Sequence, residues 1–294
     1  STNSLLWSIS GNGLKKPSFI FGTIHLQDKR VFHFTDSVYY SIQATEGFAL
    51  EIHPDSMLMN MFLNEEKGKA LPLKEVMNKK DFEKLKGKLK KELKLDPEEL
   101  TVKDAYSLKQ KFIRPEASED DMPSIVDLYL YSIARDQGKS IAGLEKISDQ
   151  TEIFDNIEEE FDPKELIRDH TLEKNFVERM IEIYVNQELD KIMQMQRIPG
   201  EQEEDLILNK RNRVMADKMD SLMHSIPYFV AVGAAHLPGP KGIIELLRQK
   251  GYTVQPVHSD RKLPAGSYQY KNENAWQEFT DRLNGYSISM PGKV

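Results

Sequence analysis

The hydrophobic and polar positions divide the chain into three parts. Short apolar runs at 5–9 and 18–21 lie on either side of a Gly-Asn-Gly sequence at 11–13, and this arrangement predicts a β-hairpin. From about residue 56 to 224 the chain is charged and amphipathic with helical spacing, and strand-like runs return after Pro227. The pattern predicts an α/β fold, with a mixed sheet core built from both ends of the chain and a largely helical middle lobe.

Two segments repeat the same order of elements. Residues 19–26 and 230–237 each read as an apolar strand that runs into Gly-x-x-His-Leu. A helix and a second strand follow in both cases, which favours parallel pairing within each βαβ unit through a right-handed crossover. Because functional groups gather at the carboxyl ends of parallel strands, we expect His25 and His236 to lie together at one edge of the sheet.

Two glutamates also occupy predicted strand ends. Glu51 follows an apolar run, and Glu145 ends another. Two histidines and two glutamates at one sheet edge would suit a divalent metal ion. Structural alternatives remain open: the histidines could satisfy turn hydrogen bonds, Glu51 could cap a helix, and Glu145 could pair with Lys146 or Arg135.

An arginine lies on the apolar side of a predicted helix over residues 206–223. Arg211 is three or four positions from Ile207 and Val214, so it shares their face. A buried guanidinium needs an anionic partner. Arg211 therefore forms either a structural salt bridge or a contact with the carboxylates of the site.

Composition narrows the function classes. The chain has 294 residues, with 40 Lys and Arg against 47 Asp and Glu, and a formal net charge of −7. This acidic balance argues against nucleic acid as a partner, because neutralising phosphates needs a basic face. The absence of cysteine excludes thiolate nucleophiles and Cys-ligated metal, so any metal must use His and carboxylate ligands. No run approaches the roughly 18 apolar residues that suggest a membrane span.

Domain limits and location follow from weaker signals. We expect one α/β domain over residues 1–261 with a helical insertion at about 56–224, and a C-terminal extension at 262–294 of unknown role. The sequence starts at Ser1 without an initiator Met or an apolar signal region, which fits a domain freed of a signal peptide or a trimmed chain. We expect export, to the periplasm, the cell surface or a lipid anchor.

The residues above make the chain resemble the TraB/GumN family, which includes the Tiki proteases of animals and is related to the erythromycin esterase and ChaN-like proteins. The resemblance covers about residues 5–258 in consistent order. Its motifs are Phe21-Gly22-Thr23-Ile24-His25, Ala49-Leu50-Glu51, Asp127 with the 138–145 stretch and Gln150, Arg211-Asn212, and Val232-Gly233-Ala234-Ala235-His236-Leu237-Pro238-Gly239.

The resemblance implies an α/β core with duplicated Gly-x-x-His units and, from Tiki, a metal-dependent peptidase activity. Carried over residue by residue, it points to His25, Glu51, Glu145, Arg211, Asn212 and His236. It also implies manganese or cobalt as the ion, and weak binding that leaves the purified protein without it.

The sequence therefore predicts a metal-dependent hydrolase that acts on a peptide or protein substrate. His25, His236 and Glu51 would hold a divalent ion (Mn, Co or Zn), which acidifies water and polarises the carbonyl. The residues assigned to catalysis are Glu51, Glu145, Arg211 and Asn212. The alternative is a non-catalytic protein that binds haem or a small molecule in the same cleft.

Overall fold

The computed structural model describes residues 3–56, 71–113, 121–148, 162–195 and 208–267, and the backbone of 276–281 and 286–291. Gln150 lies outside the described residues. The strands are β1 (Leu6–Gly11), β2 (Ser18–Thr23), β3 (Gly47–Ile52), β4 (Ser140–Glu145), β5 (Tyr228–Gly233), β6 (Tyr252–Pro256), β7 (Trp276–Asp281) and β8 (Tyr286–Pro291). The helices are α1 (Asp36–Ala44), α2 (Leu73–Val76), α3 (Lys79–Glu92), α4 (Val102–Ile113), α5 (Val126–Asp136), α6 (Thr171–Val185), α7 (Leu189–Met195), α8 (Lys210–Met223) and α9 (Ile243–Gln249). Short 3-10 segments lie at Lys29–Phe32, Pro97–Glu99, Pro163–Ile167 and Ala234–His236.

One six-stranded sheet joins the two ends of the chain, in the order β4-β3-β5-β2-β1-β6. β1 is antiparallel to both β2 and β6, whereas the β2–β5, β5–β3 and β3–β4 pairs are parallel. The β1–β2 hairpin turns through Gly11, Asn12 and Gly13, which all have positive φ. The predicted mixed α/β sheet, with strands from both Gly-x-x-His units, is confirmed.

The expected pairing within each βαβ unit is wrong. β5 lies between β2 and β3, while β2 and β1 lie between β5 and β6, so the two units interleave. The physical reason is burial: Phe229, Val230, Ala231 and Val232 of β5 are all 0% exposed. A strand that is apolar on both faces is most stable at the centre of a sheet covered on both sides, so β5 takes the central position.

The helices pack into two separate cores. The larger core joins the sheet to helices that include α5 on β3 and β5, and α8 on β4 and α9. A second core in the helical middle is built by α2, α3, α4 and the segment Pro163–Ile167, through side chains such as Leu85, Leu89 and Leu108. Helices α2, α3 and α4 with Pro163–Ile167 thus form a helical lobe with apolar packing of its own, whereas α5 to α8 of the predicted helical middle pack in the larger core.

Helix α8 carries the predicted arginine. Its buried side chains include Met215, Met219 and Met223, and the Arg211 side chain is 13% exposed. Val214 was expected on the same face, but it is 42% exposed, and Ile207, the other residue expected there, lies outside the described residues.

The C-terminal strands form a sheet of their own. β7 and β8 pair antiparallel and belong to a separate two-stranded sheet. Before them, Leu263 N donates to Phe34 O at 2.8 Å and Asp36 N to Arg261 O at 3.0 Å, so the chain around residue 262 runs along the main domain. Among the described helices, none is long and apolar enough to cross a membrane.

Candidate metal and catalytic site

Four neighbouring parallel strands end at the same edge of the sheet. In the order β4, β3, β5, β2, their carboxyl ends carry Glu145, Glu51, His236 and His25. Strand ends are where parallel sheets place functional groups. The fold therefore brings to one edge the four chemical groups that the sequence singles out.

The glycines of the two Gly-x-x-His motifs create the space at these ends. A Cβ atom on Gly22 would lie 2.9 Å from Leu237 Cδ1 and 3.0 Å from Ala234 Cα. A Cβ on Gly233 would lie 3.3 Å from Glu51 Oε1. Each glycine thus permits a close approach that any larger residue would oppose.

Arg211 binds both glutamates from helix α8. Its Nε donates to Glu145 Oε1 and Oε2 at 3.0 and 3.1 Å, and its Nη2 donates to Glu145 Oε2 at 2.7 Å and to Glu51 Oε2 at 2.6 Å. The other oxygen of Glu51 accepts the N–H of Gly233 at 2.8 Å. Side-chain exposure is 2% for Glu145 and 13% for both Glu51 and Arg211, so this is a largely buried, charge-assisted network.

His236 is held by an amide from the same helix. Its Nδ1 lies 2.6 Å from Asn212 Oδ1, and Asn212 Nδ2 donates to Lys241 O at 2.9 Å. The carbonyl of Lys241 can only accept, so it fixes the amide orientation and makes Nδ1 of His236 the protonated nitrogen. Nε2 then carries a lone pair, and it lies 3.7 Å from Glu51 Oε1.

His25 is held by a carboxylate from a different helix, α5. Its Nδ1 lies 2.9 Å from Asp127 Oδ2, and Thr23 Oγ1 donates to Asp127 Oδ1 at 2.5 Å. The hydrogen bond and negative charge of Asp127, with a contribution from Glu51, outweigh partial burial and raise the pKa of His25 to about 9. The His25 side chain is 59% exposed.

The buried half of the site, which consists of His236, Glu51, Glu145 and Arg211, shifts the pKa of its histidine in the opposite direction. Burial lowers the pKa of His236 to about 4, with help from the positive charges of Arg211 and His25 and against the effect of Glu51. Burial alone would raise the pKa of Glu51, but its charged neighbours and the N–H of Gly233 lower it to about 2. At neutral pH the site therefore holds a neutral His236, an ionised Glu51 and a charged His25.

Asp127 is a residue to which the sequence assigned no role beyond the family resemblance. It lies in the first turn of α5 and is 7% exposed, beside the fully buried Val126. A carboxylate on the buried face of a predicted amphipathic helix needs a partner, and that signal could have identified it. Its partners are Thr23 and His25, both from the β2 end.

The arrangement joins five predicted residues directly and the sixth through charge. Glu51, Glu145 and Arg211 form one network, which Asn212 and His236 extend; His25 is near enough for its charge to act on His236 and Glu51. Within the described ranges, no three His, Asp or Glu side chains stand together as a ready set of metal ligands. The atoms with suitable chemistry are imidazole nitrogens of His25 and His236 and a Glu51 oxygen.

Comparison with known proteins supports a single relationship. The model of the TraB/PrgY/gumN family matches residues 5–256, which includes the whole six-stranded sheet. No curated protein matches the chain, and no solved structure does. The match covers most of the chain and all the residues of the candidate site, so this protein belongs to the TraB/PrgY/gumN family.

Proposed function

We propose that this protein is a metal-dependent hydrolase that cleaves peptide bonds, with His25, His236 and Glu51 as the ligands of a divalent ion such as Mn²⁺, Co²⁺ or Zn²⁺. The observation that carries the proposal is the shared edge of four parallel strands, whose carboxyl ends carry two histidines and two largely buried glutamates. Membership of the family is compatible with this activity.

The way the histidines are held supports a metal site. Metal-binding histidines usually donate the second ring N–H to a carboxylate or an amide oxygen, which orients the ring and its lone pair. His25 has such a partner in Asp127, and His236 has one in Asn212. In each ring Nε2 remains as the ligand nitrogen, and the donor set fits a divalent ion in its chemistry.

The exposed histidine has to complete the ligand set. The three proposed ligands do not form a ready group in the described part of the chain, while Glu51 and His236 are already 3.7 Å apart. The side chain of His25 is 59% exposed and is held by Asp127 at Nδ1 only, so its Nε2 is the atom that would approach the other two ligands around an ion.

Each side chain then has a separate task. A bound divalent ion supplies Lewis-acid polarisation of the substrate carbonyl. Glu51, held by the N–H of Gly233 and by Arg211 and ionised at neutral pH, would bind the ion through a carboxylate oxygen. Glu145 accepts hydrogen bonds from Nε and Nη2 of Arg211 and so positions it, and Arg211 in turn fixes Glu51 and adds positive charge for a developing oxyanion.

The test combines metal binding with peptide cleavage. Protein stripped with a chelator is loaded with Mn²⁺, Co²⁺ or Zn²⁺ during calorimetry, and a peptide library is assayed by mass spectrometry. We expect His25→Ala and His236→Ala to reduce metal affinity and cleavage together, by roughly tenfold or more. His33→Ala, which changes an exposed histidine, is the matched control and should alter neither.

Two results would count against the proposal. If the metal-loaded protein binds the ion through these histidines but cleaves no peptide, the non-catalytic ligand-binding alternative is favoured. If cleavage persists in the chelated protein and in both histidine variants, the metal mechanism is wrong.

A further inference from the structure

A pocket of about 450 Å³ opens beside the loop that follows His236. Its floor is apolar and buried: Trp7, Leu189, Leu237 and Ile244 line it and are 0–5% exposed. Its lining includes Leu237 to Pro240, the residues that directly follow His236 in the chain. Its volume lies within the range of ligand pockets, roughly 300–1,000 Å³.

The rim of this pocket carries an excess of negative charge. Arg248 is already engaged: its Nη2 donates to Val254 O at 2.8 Å, its Nη1 lies 3.6 Å from Glu245 Oε2, and its guanidinium is 5.7 Å from the Trp7 ring centre. Arg248 and Glu245 therefore balance each other. Asp190 of α7 is exposed at the same rim, and its carboxylate has no ion-pair partner in the portion of the chain that the structure describes.

We propose that this pocket is the subsite for a basic side chain, lysine or arginine, of the peptide substrate, an inference that rests on the proposed hydrolase function. The aliphatic stem of such a side chain packs on the apolar floor while its charged end stays near water at the rim. There it pairs with Asp190. A purely apolar side chain would use the floor but leave this carboxylate without a role.

A lysine peptide and its norleucine analogue separate the contribution of the apolar floor from that of Asp190, because the two side chains share the aliphatic stem and differ in the charge. The chain has two tryptophans, so Trp276→Phe leaves Trp7 in the pocket as the sole indole reporter. Metal-free protein with this change is titrated with two blocked tripeptides, Ac-Ala-Lys-Ala-NH2 and its norleucine analogue. We expect both to change the Trp7 fluorescence saturably, with the lysine peptide binding more tightly.

Asp190→Asn should weaken the lysine peptide about fivefold, which is the size of a partly exposed ion pair, and leave norleucine binding unchanged. Glu75→Gln removes one exposed carboxylate from α2, in the separate helical core, and should affect neither peptide. Equal binding of the two peptides, an equal loss of both in Asp190→Asn, or no response of Trp7 would overturn the subsite.

Cleavage assays with metal-loaded protein keep this inference distinct from the proposed function. Protein that binds the lysine peptide through Asp190 but cleaves no peptide retains the subsite and refutes the hydrolase. Protein that cleaves lysine and norleucine substrates with the same kcat/KM retains the hydrolase and refutes the subsite.

Discussion

The two Gly-x-x-His motifs place their histidines at the ends of adjacent parallel strands, yet in opposite environments. His25 is 59% exposed and bound to the carboxylate of Asp127, and its pKa rises to about 9. His236 is 6% exposed and bound to the amide of Asn212, and its pKa falls to about 4. The motif is the same; the partner and the burial differ.

The difference shows which part of the molecule controls charge. The strand and its glycine fix where each imidazole stands, whereas two different helices supply the partner of Nδ1: α5 a carboxylate and α8 an amide. A neutral partner with burial favours the uncharged ring, and an anionic partner favours imidazolium. The site therefore combines one histidine with an available lone pair at neutral pH and one that must lose a proton before it can bind a metal.

The strongest way to disturb the buried half is to remove its cation. In Arg211→Met, the carboxylates of Glu51 and Glu145 lose the guanidinium that joins them. Breaking a buried ion pair from one side leaves uncompensated charge, so the free energy of unfolding should fall by roughly 3–5 kcal/mol. Urea denaturation of metal-free protein at neutral pH measures it.

Lys218→Met on the same helix provides the control, since Lys218 is exposed and its loss should change stability by less than about 0.5 kcal/mol. If Arg211→Met changes the free energy of unfolding as little as this control does, the network does not stabilise the fold. The surroundings of His236 would then differ from those of His25 in charge alone.

The second largest effect comes from exchanging the partner of His236. Asn212→Asp gives it the kind of partner that His25 has, so the pKa of His236 should rise above its value of about 4. The carbonyl of Lys241 loses its donor, which should lower the free energy of unfolding by roughly 1–3 kcal/mol. NMR titration of the imidazole and urea denaturation report these two results.

Asn186→Asp adds a carboxylate at an exposed position after α6 and should leave the pKa of His236 unchanged. A pKa that stays near 4 in Asn212→Asp would mean that burial alone sets the charge of this histidine.

The sequence predicted which residues lie at the site better than it predicted the order of the strands in the sheet. The Gly-x-x-His repeat and the strand-end glutamates place four groups at one edge because the period and polarity of strands are local properties. The continuous apolar run from Phe229 to Val232 is typical of a strand buried on both faces, but the choice of β2 and β3 as its neighbours depends on pairing between distant segments, which the run does not specify. The role of Asp127 was missed for the same reason, because its partners lie about a hundred positions earlier in the chain.

A smaller effect is expected when the carboxylate partner of His25 is replaced by an amide, the reverse of the exchange at His236. Asp127→Asn removes the negative charge but keeps an oxygen for Nδ1, so the pKa of His25 should fall from about 9 towards its ordinary value of 6.5. Asp127 is buried, but asparagine keeps its shape, an oxygen for exposed His25 and a partner for Thr23, so stability should drop by only about 1 kcal/mol. NMR titration should show His25 shifted and His236 unmoved; a His25 pKa that remains near 9 would contradict the control by Asp127.

The smallest effect is a pH dependence of stability with opposite signs for the two histidines. The folded-state pKa of His25 is raised from 6.5 to about 9, so its stabilising contribution is complete below pH 6.5 and is lost as the pH rises towards 9. The folded-state pKa of His236 is lowered from 6.5 to about 4, so its contribution is complete above pH 6.5 and is lost as the pH falls towards 4.

In metal-free protein, His25→Gln should therefore flatten the decline in the urea midpoint between pH 6.5 and 9, while His236→Gln should flatten the rise between pH 4 and 6.5. Solvent screening makes the His25 change the weaker of the two. If both variants altered the same arm of the profile, the two histidines would share one environment, and the contrast between Asp127 and Asn212 would have no electrostatic consequence.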